Sequence, residues 1–380
     1  MNRHYPSAGP SITDKEIQLV TDAVTNGWYD DRNIHTDLFI KEFKEIINRE
    51  YVLPVSNCTA AIHLSLLALN IQPGDEIIVP DITWIASVAP IVYVGAIPIF
   101  VDINKDDWCI SIDSIRNSIT KKTKAIIVVD LYGNMPNMDE LLKLSIDYNL
   151  YLIEDAAESL GSKYKGRPAG SFGEISVFSF NATKLAMAGQ GGVFATNDEE
   201  LYNKAKLYSH HGMIKYTDKT TFWSVVVGYN YQWTNIQAAL ALAQIRRLEE
   251  LVNHRRQIFQ WYKEKLNSIH GLQLNCESSD VFNTYWVVTV IVDEMYKLKK
   301  EDLLRLFSEI NIDCRPFFYP ASSMPAYENF SYNNYNKKNN NSYALSEYGI
   351  SLPSSANLNE NDIEYISNKF INILQNNIEI

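Results

Sequence analysis

A single lysine, Lys184, follows a short apolar stretch in FSFNATKLAMAGQGG, residues 178–192. Lysine is seldom buried unless it is paired with an acid or used chemically, so a lysine at the end of a core strand is a candidate nucleophile. Asp155 ends the apolar stretch YLIED, and Ser179 precedes the lysine by five residues. A buried carboxylate needs a positive partner, so these side chains suggest acid–base chemistry around an amine. Each also has a structural interpretation, as an exposed loop lysine, a helix-capping aspartate and a core serine.

The segment VSNCTAAIH, residues 55–63, is a candidate anion-binding element. Small and hydroxyl residues open a helix here, and the first N–H groups of a helix, with the Thr59 hydroxyl, can hold a phosphate. The same residue types are common as plain helix caps, and the segment is neither a P-loop nor a GxGxxG motif. Trp84, in PDITWIAS, could cover the face of a planar ring, or it could be a core tryptophan.

These groups share one chemical explanation. A lysine amine forms a Schiff base with an aldehyde cofactor, of which pyridoxal 5'-phosphate is the common example. Such a cofactor needs an anion site for its phosphate and an aspartate that keeps its pyridine nitrogen protonated, so that the ring can accept electrons. The small residues after Lys184 leave room for a planar ring. The sequence therefore predicts a pyridoxal phosphate site at which Lys184 is the catalytic amine.

Alternating strands and helices surround these residues. The predicted strands are EIIVP (76–80), AIPIFVDI (96–103), KAIIVVDLYG (124–133), LYLIEDAA (150–157) and residues 175–180. The predicted helices between them are TAAIHLSLLALN (59–70), MDELLKLSIDYN (138–149) and IASVAPIVYVG, which Pro90 interrupts unless it lies in the first turn. Continuous apolar strands separated by helices indicate an α/β fold with a mostly parallel sheet, whose ligands bind at the carboxyl ends of the strands.

The pattern changes in the second part of the chain. Residues 235–266 read as one long helical run, followed by a strand over 284–292 and a helix over 300–310. The Asn-rich stretch YNNYNKKNNNSY (332–343) predicts a mobile surface loop. We therefore expect a large cofactor-binding α/β domain over residues 1–245 and a smaller C-terminal α+β domain over residues 246–380.

Composition limits the class of protein. The chain has 380 residues, enough for two domains, and a net charge of -11 without a basic stripe, so nucleic acid is not an expected partner. Its four cysteines are scattered, which indicates neither a disulfide framework nor a zinc or other metal site. The first residues lack the apolar core of a signal peptide, and no apolar run is long enough for a membrane span. We expect a cytoplasmic protein without a membrane partner.

Long blocks of the sequence resemble one family. GDEIIVP, IEDAAESLGSKYKGRPAGSFGEISVFSF and GYNYQWTNIQAALALAQ are similar to the DegT/DnrJ/EryC1/StrS sugar-nucleotide aminotransferases, over nearly the whole chain. This resemblance implies a type I aminotransferase fold with a smaller C-terminal α+β domain. It also implies a pyridoxal phosphate cofactor and a homodimer with shared active sites.

The resemblance also implies site residues. Lys184 matches the Schiff-base lysine, Asp155 the partner of the pyridine nitrogen, and Glu158 a position near the cofactor's phenolic oxygen. Trp84 matches the residue that stacks on the ring, and the phosphate-holding positions match Cys58, Thr59 and Ser179. Asn230 matches an asparagine that reaches the neighbouring subunit's phosphate, and Trp28 precedes a loop that in the family lies near the substrate. Because an acidic chain needs local positive groups to bind a diphosphate, Arg315 and Tyr319 are candidate substrate residues. Arg315 and Tyr319, in CRPFFYP, could instead form a structural turn.

The expected reaction follows from the resemblance. It is amino transfer from L-glutamate to C4 of a nucleotide-linked 4-keto-6-deoxy sugar, with GDP-4-keto-6-deoxymannose as the leading acceptor, in polysaccharide synthesis. A dTDP or UDP sugar, transfer to C3, a small phosphorylated ketone and a non-catalytic regulator remain alternatives. The sequence departs from the family at Gln190, at Cys58 and in the loop after Trp28, which makes the acceptor less certain than the reaction type. Family dehydratases carry histidine in place of the lysine, so Lys184 favours amino transfer.

Overall fold

The computed structural model describes residues 3–214, 222–330 and 334–377. The α-helices follow one another along the chain as α1 (Asp14–Thr25), α2 (Ile34–Ile47), α3 (Cys58–Ala68), α4 (Ala89–Tyr93), α5 (Ile112–Ser118), α6 (Met138–Tyr148), α7 (Glu199–Ser209), α8 (Asn235–Ile245), α9 (Leu248–Leu266), α10 (Lys300–Ser308), α11 (Tyr335–Lys338), α12 (Asn340–Tyr348) and α13 (Glu360–Gln375). Within these described ranges, none of the helices is both long and apolar enough to cross a membrane.

In the part of the chain that the structure describes, short strands build three sheets. In chain order the strands are β1 (Tyr51–Val55), β2 (Glu76–Pro80), β3 (Ile97–Val101), β4 (Thr123–Val129), β5 (Tyr151–Asp155), β6 (Lys163–Tyr164), β7 (Arg167–Pro168), β8 (Ile175–Ser179), β9 (Gly192–Thr196), β10 (Leu272–Leu274), β11 (Val281–Phe282), β12 (Thr289–Val292), β13 (Arg315–Pro316) and β14 (Gly349–Ser351). The shortest of the sheets, β11-β6-β7, has strands of only two residues.

Seven strands form a large sheet in the order β1-β9-β8-β5-β4-β2-β3. Neighbouring strands from β3 to β8 run parallel, whereas β9 is antiparallel to both β8 and β1. This confirms the prediction of a mostly parallel sheet. Because parallel strands end at the same edge, Asp155 at the end of β5 and Ser179 at the end of β8 lie at one edge of the sheet.

The helix predicted between β2 and β3 is shorter than expected. A 3₁₀ turn covers residues Ile85–Ser87, and α4 begins at Ala89 with Pro90 in its first turn. A proline is tolerated there because the first N–H groups of a helix have no intrahelical acceptor.

The long helix predicted over residues 235–266 is wrong as a single element. It is divided into α8 and α9 at Arg247, whose φ and ψ of -109° and 14° depart from helical geometry. The Arg247 guanidinium donates to Glu16 Oε1 at 2.7 Å, and both side chains are almost fully buried. The break therefore places Arg247 where it ties α1 to the junction of α8 and α9.

The C-terminal part contains a four-stranded antiparallel sheet in the order β10-β12-β14-β13. Its apolar core includes Phe307 of α10 and Phe370 of α13. Tyr5, from the other end of the chain, joins this core and pairs through its backbone with Ile312. The division of the chain at residue 245 stays a prediction.

Two secondary-structure predictions in this part are wrong. The strand expected over residues 284–292 begins only at Thr289, because Tyr285 has a φ of 51° and its N–H donates to the Asn283 side chain instead of a neighbouring strand. The mobile loop expected over 332–343 is helical from residue 335 onward, as α11 and α12. Tyr332 and Asn333 lie outside the described residues.

The Asn-rich stretch is ordered by buried contacts. Tyr335 is only 4% exposed and packs edge-on against Phe100, with ring centroids 5.3 Å apart. The Asn339 side chain donates to Asp81 Oδ2 at 2.8 Å, just after β2. The polarity of this stretch therefore reflects side-chain hydrogen bonds to the large sheet.

Candidate active site

A cavity of about 1120 Å³ opens at the carboxyl ends of β2, β4, β5 and β8. Its wall also includes residues of α3 and of the C-terminal part, so distant segments of the chain meet there. The predicted site residues that line it are Cys58, Thr59, Trp84, Asp155, Glu158, Ser179, Lys184, Arg315 and Tyr319.

Lys184 lies in the turn that follows β8. Its side chain is 12% exposed, and Nζ is 3.3 Å from Glu158 Oε1. Nζ also lies 3.6 Å from the centroid of the Trp286 ring, a cation–π distance. Trp286 is fixed in turn, because its indole N–H donates to the Thr183 carbonyl at 2.9 Å. The lysine amine is therefore held between a carboxylate and an aromatic face.

Asp155 ends β5 and is almost completely buried. Oδ2 accepts a hydrogen bond from the Ser87 hydroxyl at 2.7 Å, and Oδ1 accepts one from the Ala157 N–H at 3.1 Å. Burial raises the pKa of Asp155, while these hydrogen bonds and the nearby charge of Lys184 oppose that rise. The Cys58 thiol lies 3.9 Å from Oδ1, and burial raises the pKa of that thiol well above its usual range, so it stays neutral.

Glu158 is positioned by the loop that follows β4. Its Oε2 accepts a hydrogen bond from the Tyr132 N–H at 2.8 Å, which leaves Oε1 facing Lys184. Burial raises the pKa of Glu158, and the charge of Lys184 opposes this effect most strongly. Tyr132 has a φ of 55°, a conformation that bulky residues rarely adopt and that functional sites often hold.

The N-terminus of α3 faces the same cavity. The Asn57 side chain caps the helix by accepting from the Ala60 N–H at 2.8 Å, and Cys58 and Thr59 line the cavity. Gly192 of β9 packs so closely that a Cβ there would lie 2.4 Å from the Asn57 carbonyl carbon. Glycine is thus required for the turn before α3 to rest against the sheet, close to Ser179 at the end of β8.

A wall of the cavity is formed by Trp84, which follows β2, and by β13 with the segment after it. Trp84 is 59% exposed, and its ring centroid lies 6.1 Å from that of Phe318. The Arg315 Nε–H donates to the Ser7 hydroxyl at 3.0 Å. Together with Tyr319, these residues give this wall an aromatic surface with one cation.

Two predicted residues lie away from this cavity. Trp28 is 51% exposed, and its indole N–H donates to the Val24 carbonyl at 2.7 Å. Asn230 is exposed and forms an isolated antiparallel bridge with His210. Neither residue belongs to the cavity wall within the chain.

Several residues of the site could not be predicted from the sequence. Trp286 and Tyr132 lie in stretches predicted to be regular strands, and Ser87 lies in a predicted helix. The strand predicted over 124–133 ends at Val129, and Tyr132 lies in a short turn after it. None of these residues follows a spacing rule that links it to Lys184 or Asp155. For Tyr132, the Leu-Tyr-Gly sequence gave some indication of a special position, because a glycine after an apolar strand often marks unusual backbone geometry.

A buried amine between a carboxylate and a ring, with a second carboxylate at the edge of a mostly parallel sheet, defines the class of protein. It is a pyridoxal-phosphate-dependent aminotransferase with the type I fold. The chain belongs to the DegT/DnrJ/EryC1/StrS aminotransferase family, whose sequence profile matches residues 10–371.

Individual relatives agree over most of the chain. It is 39% identical over 364 residues to the GDP-perosamine synthase of Escherichia coli O157:H7, covering 96% of this chain and 97% of that protein. It is 34% identical to the GDP-perosamine synthase of Vibrio cholerae, covering 96% and 97% of the two chains. The PLP form of Spr1654 from Streptococcus pneumoniae superposes with a TM-score of 0.90 at 27% identity, covering 99% of this chain and 100% of that one.

The residues present fit pyridoxal phosphate. The α3 N-terminus and Ser179 offer N–H and hydroxyl donors to a phosphate, and the close approach at Gly192 leaves that helix end facing the cavity. Asp155 offers a buried carboxylate to a ring nitrogen, and Lys184 offers an amine to an aldehyde. One chain therefore offers partners for the ring nitrogen, for the aldehyde and for part of the phosphate of the cofactor.

Proposed function

We propose that this protein transfers an amino group from L-glutamate to C4 of GDP-4-keto-6-deoxymannose, giving GDP-perosamine for polysaccharide synthesis. The observation that carries the reaction type is the Lys184 amine, held 3.3 Å from Glu158 in the cavity that also contains Asp155. The likeness to GDP-perosamine synthases at 39% and 34% identity supports the acceptor.

The residues divide the chemistry among themselves. When bound, pyridoxal phosphate supplies an electron sink for the pair left by a broken C–H bond. Asp155 keeps the ring nitrogen protonated, and Ser87 holds that carboxylate in place. Lys184 Nζ would move the proton of the glutamate α-carbon to the bound cofactor, and in the second half of the reaction it would move a proton from the cofactor to C4 of the sugar.

The surroundings of Lys184 restrict where its amine can move. Glu158 accepts a hydrogen bond from it on one side, and the Trp286 ring covers it on another. Tyr132 keeps Glu158 in place through its backbone N–H. These contacts hold the amine within the cavity and exclude water from one of its faces.

Residues 315–324, which comprise β13 and the segment after it, form the proposed substrate wall. Arg315 offers guanidinium N–H groups to the diphosphate, and Tyr319 lies beside it. The net charge of -11 repels an anionic substrate, so local cations are needed for binding. Arg315 and Lys184 supply positive charge within the described cavity wall.

The proposed assembly is a homodimer. Exposed apolar side chains near Asn230, including Phe222 at 86% and Val227 at 89%, favour burial against another chain. In this proposal Asn230 reaches the phosphate in the neighbouring subunit's site, and Trp28 lies near the substrate. A mixture of Asn230→Ala and Lys184→Ala proteins tests it: subunit exchange should restore about a quarter of wild-type activity to the mixture if sites are shared. We further propose a cytoplasmic location, in keeping with four free cysteines.

A product assay tests the proposed function. The purified protein is incubated with pyridoxal phosphate, glutamate and a panel of GDP-, dTDP- and UDP-linked 4-keto-6-deoxy sugars, and amino sugars are detected by mass spectrometry. We expect amination of the GDP-mannose-derived ketone alone, and none by Lys184→Ala. Amination of a dTDP or UDP sugar instead would contradict the acceptor. No amination of any sugar, with a normal cofactor absorbance band, would redirect the search to other ketones.

A further inference from the structure

Lys300 is a buried lysine for which the proposed chemistry has no use. It is the first residue of α10 and is 2% exposed. Its Nζ donates to the Ser346 hydroxyl at 2.9 Å and to the Phe317 carbonyl at 3.4 Å, and it lies 3.3 Å from the centroid of the Tyr319 ring. Among the residues that the structure describes, no carboxylate forms an ion pair with it.

Tyr319 connects this lysine to the cavity. The Tyr319 ring lines the cavity wall, while its hydroxyl donates to Glu301 Oε1 at 3.2 Å. Consecutive residues of α10, Lys300 and Glu301, therefore hold the ring and the hydroxyl of one side chain.

The backbone around Tyr319 is fixed as well. The Ser346 hydroxyl donates to the Phe318 carbonyl at 2.8 Å, and the Phe318 N–H donates to the Tyr132 hydroxyl at 3.2 Å. Lys300 supplies the charge at the centre of this arrangement. A buried charge is costly, and an apolar side chain of similar size would fill the space without that cost. The charge therefore requires an explanation other than packing.

We propose that Lys300 is a positioning residue for the anionic part of the acceptor: it fixes Tyr319 in the cavity wall and makes that wall positive beside Arg315. This inference rests on the proposed function, since it requires an acceptor that carries a diphosphate. Among the described residues of this wall, Arg315 alone would supply one cation in a protein of net charge -11. A cation behind an aromatic ring orients the ring and adds positive potential without contacting the ligand.

The titration of Lys300 gives the inference a pH signature. Burial lowers the pKa of Lys300 to about 8, while Glu301 of α10 and Glu347 of α12 act to raise it. Burial and Glu301 raise the pKa of Tyr319, so the phenol stays neutral as the lysine loses its proton. Arg315, on β13, keeps its charge, and β14 carries no ionisable side chain. Between about pH 7 and pH 9 the charge behind the Tyr319 ring is lost.

The test measures GDP binding to the cofactor-loaded protein by isothermal titration calorimetry, at about pH 7 and about pH 9. We expect Lys300→Met to bind GDP about tenfold more weakly than wild type at the lower pH, with little pH dependence. Wild type should weaken toward that level at the higher pH, and Lys300→Arg should bind well at both. Lys299→Met is the matched control, because this substitution removes the same positive charge from an exposed neighbour of Lys300 that pairs with Glu347.

Thermal unfolding separates positioning from stability. Methionine fills the space without a buried charge, so Lys300→Met should unfold at or above the wild-type temperature. Wild-type GDP affinity in Lys300→Met, or equal weakening in Lys299→Met, would overturn the inference. If Lys300→Met has a disturbed fold, the pH dependence of Lys300→Arg decides: a wild-type-like loss of affinity at the higher pH also overturns it.

Arg315→Ala and Tyr319→Ala distinguish this inference from the proposed function. If they weaken GDP binding and Lys300→Met does not, the role of Lys300 is wrong and the substrate wall stands. If all three variants bind as wild type does, the diphosphate lies elsewhere, and the placement of the substrate is wrong. A wild-type protein that fails to bind GDP contradicts the proposed acceptor and this inference with it.

Discussion

Removing the Asp81 carboxylate should destabilise the wall of the cavity. Asp81 follows β2 and is completely buried. Its Oδ1 accepts from the Ser322 N–H at 2.8 Å, and its Oδ2 accepts from the Ser322 hydroxyl at 2.7 Å and from the Asn339 amide at 2.8 Å. These bonds tie the segment that leads to Met324, a cavity residue, to the large sheet.

The magnitude follows from those three hydrogen bonds. In Asp81→Ala the buried donors lose their acceptor, at about 1–3 kcal/mol each before relaxation. Burial raises the pKa of Asp81, so removing the carboxylate also relieves a desolvation cost. We expect a net loss of about 3 kcal/mol in the free energy of unfolding. Asp81→Asn should lose only about 1 kcal/mol, because the new amide group can donate to both former donors: the Ser322 hydroxyl can accept instead of donating, and the Asn339 amide can rotate to present its oxygen.

Urea unfolding of the cofactor-loaded protein measures this difference, with Asp147→Ala as the control. Asp147 is an exposed aspartate that pairs with Lys143, so its removal should change stability by less than about 1 kcal/mol. The KM for the sugar should rise in Asp81→Ala, since the wall that bears Met324 is loosened. Equal destabilisation by Asp81→Asn and Asp81→Ala would refute the argument from hydrogen bonds. If Asp81→Ala changed stability no more than the control does, the claim that Asp81 ties the cavity wall to the large sheet would be refuted.

Three further predictions concern the chemistry and the pH range of stability. Lys184→Ala should lose turnover entirely while its far-UV circular dichroism stays that of wild type; measurable turnover would contradict the proposed amine. Asp155→Asn should lower kcat about 10³-fold, because a charge pair about 4 Å apart contributes about 4 kcal/mol at the effective dielectric constant of about 20 that also suits buried sites, and unchanged kcat would remove Asp155 from the mechanism. Burial tends to raise the pKa of Glu16, but hydrogen bonds from Thr13 and Arg247 outweigh this effect and lower the pKa to about 2. Ionised Glu16 therefore stabilises the fold at pH values above 4.5, the usual pKa of a glutamate. That contribution, about 3 kcal/mol, should disappear as the pH falls from about 4.5 toward 2, and Glu16→Gln should unfold with a flatter pH profile by circular dichroism.

The sequence predicts well those features that depend on local periodicity. β5 and β8 lie within continuous apolar runs, and their predicted ends at residues 157 and 180 lie within two residues of the observed ends, so the edge that carries the chemistry follows from the pattern. Resemblance to the family then supplies roles for Lys184 and Glu158, which the structure brings within 3.3 Å of each other.

Features that depend on distant contacts could not be predicted in this way. The ring of Trp286 meets Lys184 across about a hundred residues of chain, and nothing in either local sequence encodes that meeting. The Asn-rich stretch has the composition of a loop, yet Asp81 and Asp102 accept hydrogen bonds from it and make it helical. The break between α8 and α9 depends in the same way on Glu16, which lies far away in the sequence.

The residues that handle protons and the residues that form the substrate wall lie in different parts of the chain. The groups that handle protons lie at the carboxyl edge of the large sheet, with Asp155 at the end of β5 and Lys184 in the turn after β8. The substrate wall is formed by residues 315–324, which are held from behind by Asp81 and Lys300. A change in those supporting contacts alters the shape and charge of the wall without touching Lys184 or Asp155. Acceptor specificity can therefore diverge while the step with glutamate stays the same, which explains why the type of reaction follows more directly from this chain than the identity of its sugar.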